Sequence, residues 1–115
     1  MGLLKALSER KRLQKDRREY SRAFANMMRE HAKVHSLDED FSYLCGLLHN
    51  IGEVNVGGVN SIDTILILQN ENLTDVAAVV AGFYAIEELI DSEIANAEIL
   101  ASYAKLMHEV SKMFK

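Results

Sequence analysis

Proline is missing from all 115 residues, and glycine occurs only six times, at position 2, across positions 46–58 and at position 82. Few residues therefore break the backbone, and long helical patterns can run on. Tryptophan is absent and cysteine occurs once, as Cys45. A single thiol excludes an internal disulfide, and with no adjacent base to activate it Cys45 reads as a core residue rather than a nucleophile. There is no apolar run of about eighteen residues and no charged-then-apolar leader, which argues against membrane insertion and secretion and for a cytoplasmic protein. A length of 115 residues with 49% hydrophobic content fits one domain with a real core.

Positive charge is scarce beyond the first third. Residues 1–33 hold ten Lys/Arg against four Asp/Glu, a net +6, whereas residues 34–115 hold three against thirteen, a net −10. This polarity fits an anionic partner for the first helix, or two ends of one protein that attract each other or a neighbouring copy.

What is present is helical periodicity. A first helix is expected from about Leu3 to Val34, with Ala6, Leu13, Tyr20, Met27 and Val34 recurring every seven residues and Phe24, Met28 and His31 widening the stripe. Its first half, residues 1–18, is thin in apolar residues and is expected to project, dimerise or fray. Ser36-Leu-Asp-Glu39 reads as a capping box, so a second helix should start near Leu37. Phe41, Leu44, Cys45, Leu48 and Ile51 give it one apolar stripe, and Gly52 is placed to end it in the left-handed conformation. Gly46 inside that helix costs on the order of 1 kcal/mol relative to alanine, a loss that a close helix contact would offset.

Residues 55–60 form a polar, glycine-rich connector whose spacing fits neither a Walker loop nor a dinucleotide fingerprint. Residues 61–68 are β-branched yet lack a second strand to pair with, so a short buried helix capped by Ser61 is expected. Residues 73–90 give another helix, with Val76, Val79, Val80, Phe83, Ile86, Leu89 and Ile90 on one side and Gly82 allowing close approach. Asp91 or Ser92 should cap a last helix reaching Met113, with Ile94, Ala97, Ala101, Ala104, Met107 and Val110 as its stripe. The fold expected is all-α: one domain, a compact bundle of about five helices.

The run Gly46-Leu-Leu-His-Asn-Ile-Gly52 resembles the core motif of the HD superfamily, most closely its HDOD branch, whose usual wording is Gly-Leu-Leu-His-Asp-Ile-Gly. Tyr20-Ser-Arg-Ala-Phe-Ala25, lying 29 residues upstream of His49, resembles the His-Ser-x-x-x-Ala opening of the same branch. The resemblance covers about residues 19–54 and implies an HD/HDOD-like bundle in bacterial signalling. It also implies that the family's metal-dependent phosphohydrolysis is lost, because Tyr20 and Asn50 stand where a histidine and an aspartate ligand are expected. HDOD domains are considerably longer than this, so the chain would be a reduced version, a fragment or half of an oligomeric core.

No Ser-His-Asp or Cys-His arrangement is recognisable, so no catalytic residue and no cofactor is assigned. Metal binding is not expected either. His49 and the i, i+4 pair His31 and His35 are the candidates for it; Asp63, Asp75 and Asp91 are carboxylates in later helices, of which Asp63 and Asp91 fit a helix first turn or cap equally well. The function expected is a non-catalytic regulatory domain acting by protein or small-ligand binding, as a homo-oligomer with a protein partner. The alternatives are a divergent HD phosphohydrolase built on His49, and a scaffold or nucleic-acid-binding module using the basic first helix.

Overall fold

A computed structural model describes residues 2–52, 60–90 and 96–114, without the side chains of residues 6, 7, 9–11, 13, 14 and 60. Among the described residues every regular element is helical: α1 (Gly2–Val34), α2 (Glu39–Leu48), α3 (Asn60–Asn70), α4 (Thr74–Tyr84) and α5 (Ala97–Ser111), with short 3₁₀ turns at Glu87–Leu89 and Lys112–Phe114. The 33 residues of α1 account for the 52 Å long axis of the molecule, at about 1.5 Å per residue.

Helices α1 and α2 form an antiparallel hairpin whose facing residues are small. Ser21, Ala25 and Ala32 on α1 and Ser42 and Gly46 on α2 are all buried. A Cβ at Gly46 would lie 2.8 Å from Ala25 Cα and 3.0 Å from Met28 Cγ, so the close contact expected of this glycine is present. The opposite side of α2 carries Phe41, Leu44, Cys45 and Leu48 against the rest of the core, as the stripe predicts. Helix α3 packs on α4, α4 on α5, and α5 returns along α1. Phe24, Met28, Ile65, Leu68, Val79, Val80, Leu106 and Met107 fill the centre. Gly82 meets α5 closely: a Cβ there would stand 3.2 Å from the Ala104 Cβ.

Several boundaries differ from expectation, for one shared reason. Ser36, Asn72 and Ala85 all have φ near 60° (55°, 62° and 58°), the left-handed conformation that ends a helix. At each, the next residue's N–H reaches back five positions: Leu37 to the Ala32 carbonyl at 3.0 Å, Leu73 to Leu68 at 2.8 Å and Ile86 to Ala81 at 2.9 Å. These are Schellman closures, and the residue after each left-handed position is an aliphatic packed against the core. Ser36 therefore terminates α1 instead of capping α2. Asp38 does the capping, accepting from the Phe41 amide at 2.7 Å. Ala85 likewise stops α4 at Tyr84, so Ile86, Leu89 and Ile90 belong to a following 3₁₀ turn rather than to the helix.

Four further expectations are corrected. Gly52 is not left-handed; a Cβ there would stand 2.6 Å from Thr64 N and 2.8 Å from Asp63 Cβ, so its smallness serves contact with α3. Residues 61–68 are helical as expected, but α3 begins at Asn60 and Ser61 lies inside it. The seven-residue stripe on α1 is not the core face: Tyr20 is exposed, Met27 half-buried and Val34 77% exposed, while Ser21, Phe24, Ala25, Met28 and Ala32 turn inward. The side chains of Ala6 and Leu13 lie outside the described residues, as do Asp91, Ser92, Ile94 and residues 55–59 of the expected connector. On α5, Ala97 and Ala101 are exposed, and the buried face is Leu100, Tyr103, Ala104, Leu106, Met107 and Val110.

Between Gly2 and Glu19 every described side chain is exposed except half-buried Arg17, so the first half of α1 projects from the bundle. Tyr103 ties the last helix to the hairpin's corner, its hydroxyl accepting from the Asp38 amide at 3.0 Å and its ring meeting Phe41 edge-on at 4.8 Å.

Candidate functional site: the His49–Asn50 corner

The end of α2 places two polar side chains in a buried position, where each needs a partner. His49 and Asn50 are both 3% exposed. Asn50 Oδ1 accepts from the Ser21 hydroxyl at 2.6 Å, and the same hydroxyl lies 2.8 Å from the Arg17 carbonyl oxygen, so one hydrogen serves two acceptors. His49 Nδ1 sits 2.6 Å from the Gly46 carbonyl oxygen, which can only accept. The ring is therefore the Nδ1–H tautomer when neutral, with its lone pair on Nε2. Burial disfavours the cation and lowers the His49 pKa, and the bond to Gly46 only partly opposes that shift.

Aromatic rings close around this imidazole. Phe24 lies 4.4 Å from it, Tyr20 5.8 Å and Phe83 6.0 Å between centroids. Phe114 from the C-terminal turn stacks on Phe24 at 5.6 Å and meets Tyr20 edge-on at 5.3 Å. The Tyr84 hydroxyl donates to the His49 carbonyl oxygen at 2.9 Å. Five of the chain's eight phenylalanines and tyrosines thus converge on one corner.

Positions 20–21 and 49–50, separated by 29 in sequence, are accordingly neighbours in space. The remaining site candidates are dispersed. His35 is exposed and its Nε2 lies 3.1 Å from Glu109 Oε2 on α5. Half-buried His31 remains one turn earlier on α1. Asp63 and Asp75 occupy the first turns of α3 and α4, where the helix dipole favours a carboxylate. Among the described residues no three His, Cys, Asp or Glu side chains gather as a metal-holding group. Cys45 is fully buried, and desolvation, with Asp75 adding to it, pushes its thiol pKa far above the usual range, which removes it as a nucleophile at neutral pH.

A divalent metal does not fit the residues of this corner. Asn50 offers a neutral oxygen already engaged by Ser21, and position 20 carries a phenol ring. What the arrangement does chemically is hold two helices together through a neutral polar pair sealed by rings. Sequence reasoning singled out His49, Asn50 and Tyr20 but missed Ser21 as the bonding partner and Phe83, Tyr84 and Phe114 as the seal. The serine was legible as the one hydroxyl at the matching spacing; the later aromatics carry no local signal.

Among the described residues two surface clefts lie elsewhere, and neither is lined by His49, Asn50 or Tyr20. One, of about 830 Å³, runs between α4 and α5 over Gly82, Leu100, Ala101 and Ala104. The other, of about 490 Å³, lies beside His35, Lys105, Glu109 and Lys112. No helix among the described residues is long and apolar enough to cross a membrane. No protein-family model matches the chain, and no curated protein or solved structure does so at a significant level.

Proposed function

We propose that the chain is an HD/HDOD-like regulatory module without hydrolytic metal chemistry, acting in bacterial cytoplasmic signalling by binding protein partners, a second copy of itself among them. The observation that carries this reading is the Ser21–Asn50 bond. The two segments that carry the resemblance lie against each other, and where they meet the Ser21 hydroxyl donates to the Asn50 side-chain oxygen. The burial of His49 among rings supports the same reading, since a neutral, enclosed imidazole is suited to packing and poorly placed to collect a hydrated cation.

The test is a restoration. Tyr20→His combined with Asn50→Asp returns the two family ligands, and the double variant is expected to bind Mn²⁺ or Fe²⁺ at least tenfold more tightly than the wild type, measured by calorimetry. The wild type is expected to leave cyclic dinucleotides, nucleotides and generic phosphoesters unhydrolysed. Metal-dependent turnover by the wild type that disappears in His49→Ala overturns the proposal in favour of a divergent phosphohydrolase. A double variant that folds but gains no metal affinity removes the HD resemblance as its basis.

A further inference from the structure

The first half of α1 has no place to dock within its own bundle. It continues the same unbroken helix that packs against α2, so the rod carries it away from the rest of the chain. Leu3 and Leu4 are exposed, at 74% and 72%. Residues 1–18 contain seven Lys/Arg and two Asp/Glu, a net +5. A lone helical arm of this length is marginal in water and gains from any surface that covers its leucines.

The body of the protein offers the opposite charge. From Val34 to Ala104, 71 residues include not one Lys or Arg and twelve Asp/Glu. Among the described residues of that stretch, α3 carries an exposed apolar strip. Ile62 and Leu66 are 47% and 55% exposed and, with Gln69, occupy i, i+4, i+7 positions on one face of α3. Gln69 Nε2 donates to the Leu89 carbonyl oxygen at 3.1 Å, which brings the 3₁₀ turn with exposed Leu89, Glu87 and Glu88 beside the end of that strip. The carbonyl end of α3 adds its negative pole there.

We propose that the chain self-associates by docking the N-terminal arm of one copy, through Leu3, Leu4 and its basic residues, on the outer face of α3 and the adjoining acidic turn of another. Arm-to-arm pairing is disfavoured because two +5 segments repel, and arm-to-own-body contact is prevented by the continuity of α1. A reciprocal exchange closes as a two-fold dimer. This deepens the partner element of the proposed function and does not depend on the HD resemblance, so its failure leaves the metal-binding test unaffected.

Sedimentation equilibrium on the full chain tests it, with circular dichroism confirming that each variant folds. The wild type is expected to dimerise and to weaken as salt rises from about 0.1 M to about 1 M, which shortens the screening length from about 10 Å to about 3 Å. Leu4→Glu on the arm and Leu66→Glu on the body, both at exposed positions, should each weaken the dimer at least tenfold. An equimolar mixture of the two retains one intact arm and one intact body face, and should associate more tightly than either alone. A wild type that stays at 12.9 kDa up to sub-millimolar concentration overturns the proposal. So does a dimer insensitive to Leu66→Glu, or a mixture no tighter than its components. A monomer whose arm binds an oligothymidylate or a phosphatidylserine vesicle likewise overturns it, in favour of that anionic surface.

Discussion

Gly46→Ala sets two effects of known sign against each other. Gly46 lies inside α2, and an exposed interior glycine replaced by alanine gains about 1 kcal/mol of helix stability. Here the new methyl would stand 2.8 Å from Ala25 Cα and 3.2 Å from Ala25 N, both backbone atoms, and 3.0 Å from Met28 Cγ. A flexible side chain could yield, but α1 can only move away as a rod. Overpacking of a tight core costs about 1–3 kcal/mol, and contact with backbone belongs at the upper end of that range. The net expectation is a loss of about 2 kcal/mol, a shift of about 1 M in the urea midpoint at unchanged slope. The assay is urea unfolding followed by ellipticity at 222 nm. Gly82→Ala is the control, because its methyl would meet only the Ala104 side chain, at 3.2 Å, and its expected change is under about 1 kcal/mol. A midpoint for Gly46→Ala that rises by the helix-propensity gain would refute the α1–α2 packing described above and leave the buried Ser21–Asn50 pair without its geometry.

Ala85→Gly should stabilise the protein, because relief of a left-handed alanine is worth about 1–2 kcal/mol and the added freedom of the unfolded chain returns about 0.5–1 kcal/mol of it. A lower thermal midpoint in this variant would mean that α4 does not end there. Stability should also decline with acidity through His49. Its folded pKa lies below the ordinary 6.5, so this contribution is complete above about pH 6.5 and is lost as pH falls from there toward the folded value, by at most about 1.4 kcal/mol per pH unit. Urea unfolding between about pH 7.5 and about pH 5 tests this against His49→Gln; equal pH dependence in the two proteins contradicts the buried neutral imidazole.

Periodicity makes the helices legible, and the β-branched run at 61–68 reads as a helix because Ser61 can cap it and no strand is available to pair with it. Gly46 and Gly82 were legible too, since a glycine inside a strong helical pattern needs a reason and close approach is the commonest. The helix stops were not. A left-handed serine, asparagine or alanine looks like any other residue, and the signal lies one position later, in the aliphatics Leu37, Leu73 and Ile86 that anchor each closure. The core face of α1 was displaced for a related reason. Its inward positions alternate Phe24 and Met28 with Ser21, Ala25 and Ala32, and a search for large apolar residues passes over small ones that are buried because a second helix lies close. At the candidate site the local motif pointed to His49 and Asn50, whereas the enclosing rings at 83 and 114 come from distant segments that only the tertiary fold brings in.

The bond from the Asp38 amide to the Tyr103 hydroxyl spans 65 residues, and Phe114 reaches Phe24 across a still longer interval. During synthesis the α1–α2 hairpin is complete long before either partner leaves the ribosome. Until residues 97–114 emerge, the corner at Asp38 and Phe41 lacks Tyr103 and the ring of Phe24 lacks Phe114. The hairpin therefore waits, with apolar surface exposed, for a segment made more than fifty residues later. A message truncated upstream of α5 yields a product that holds the hairpin in this open condition, the form a cell's quality-control proteases recognise.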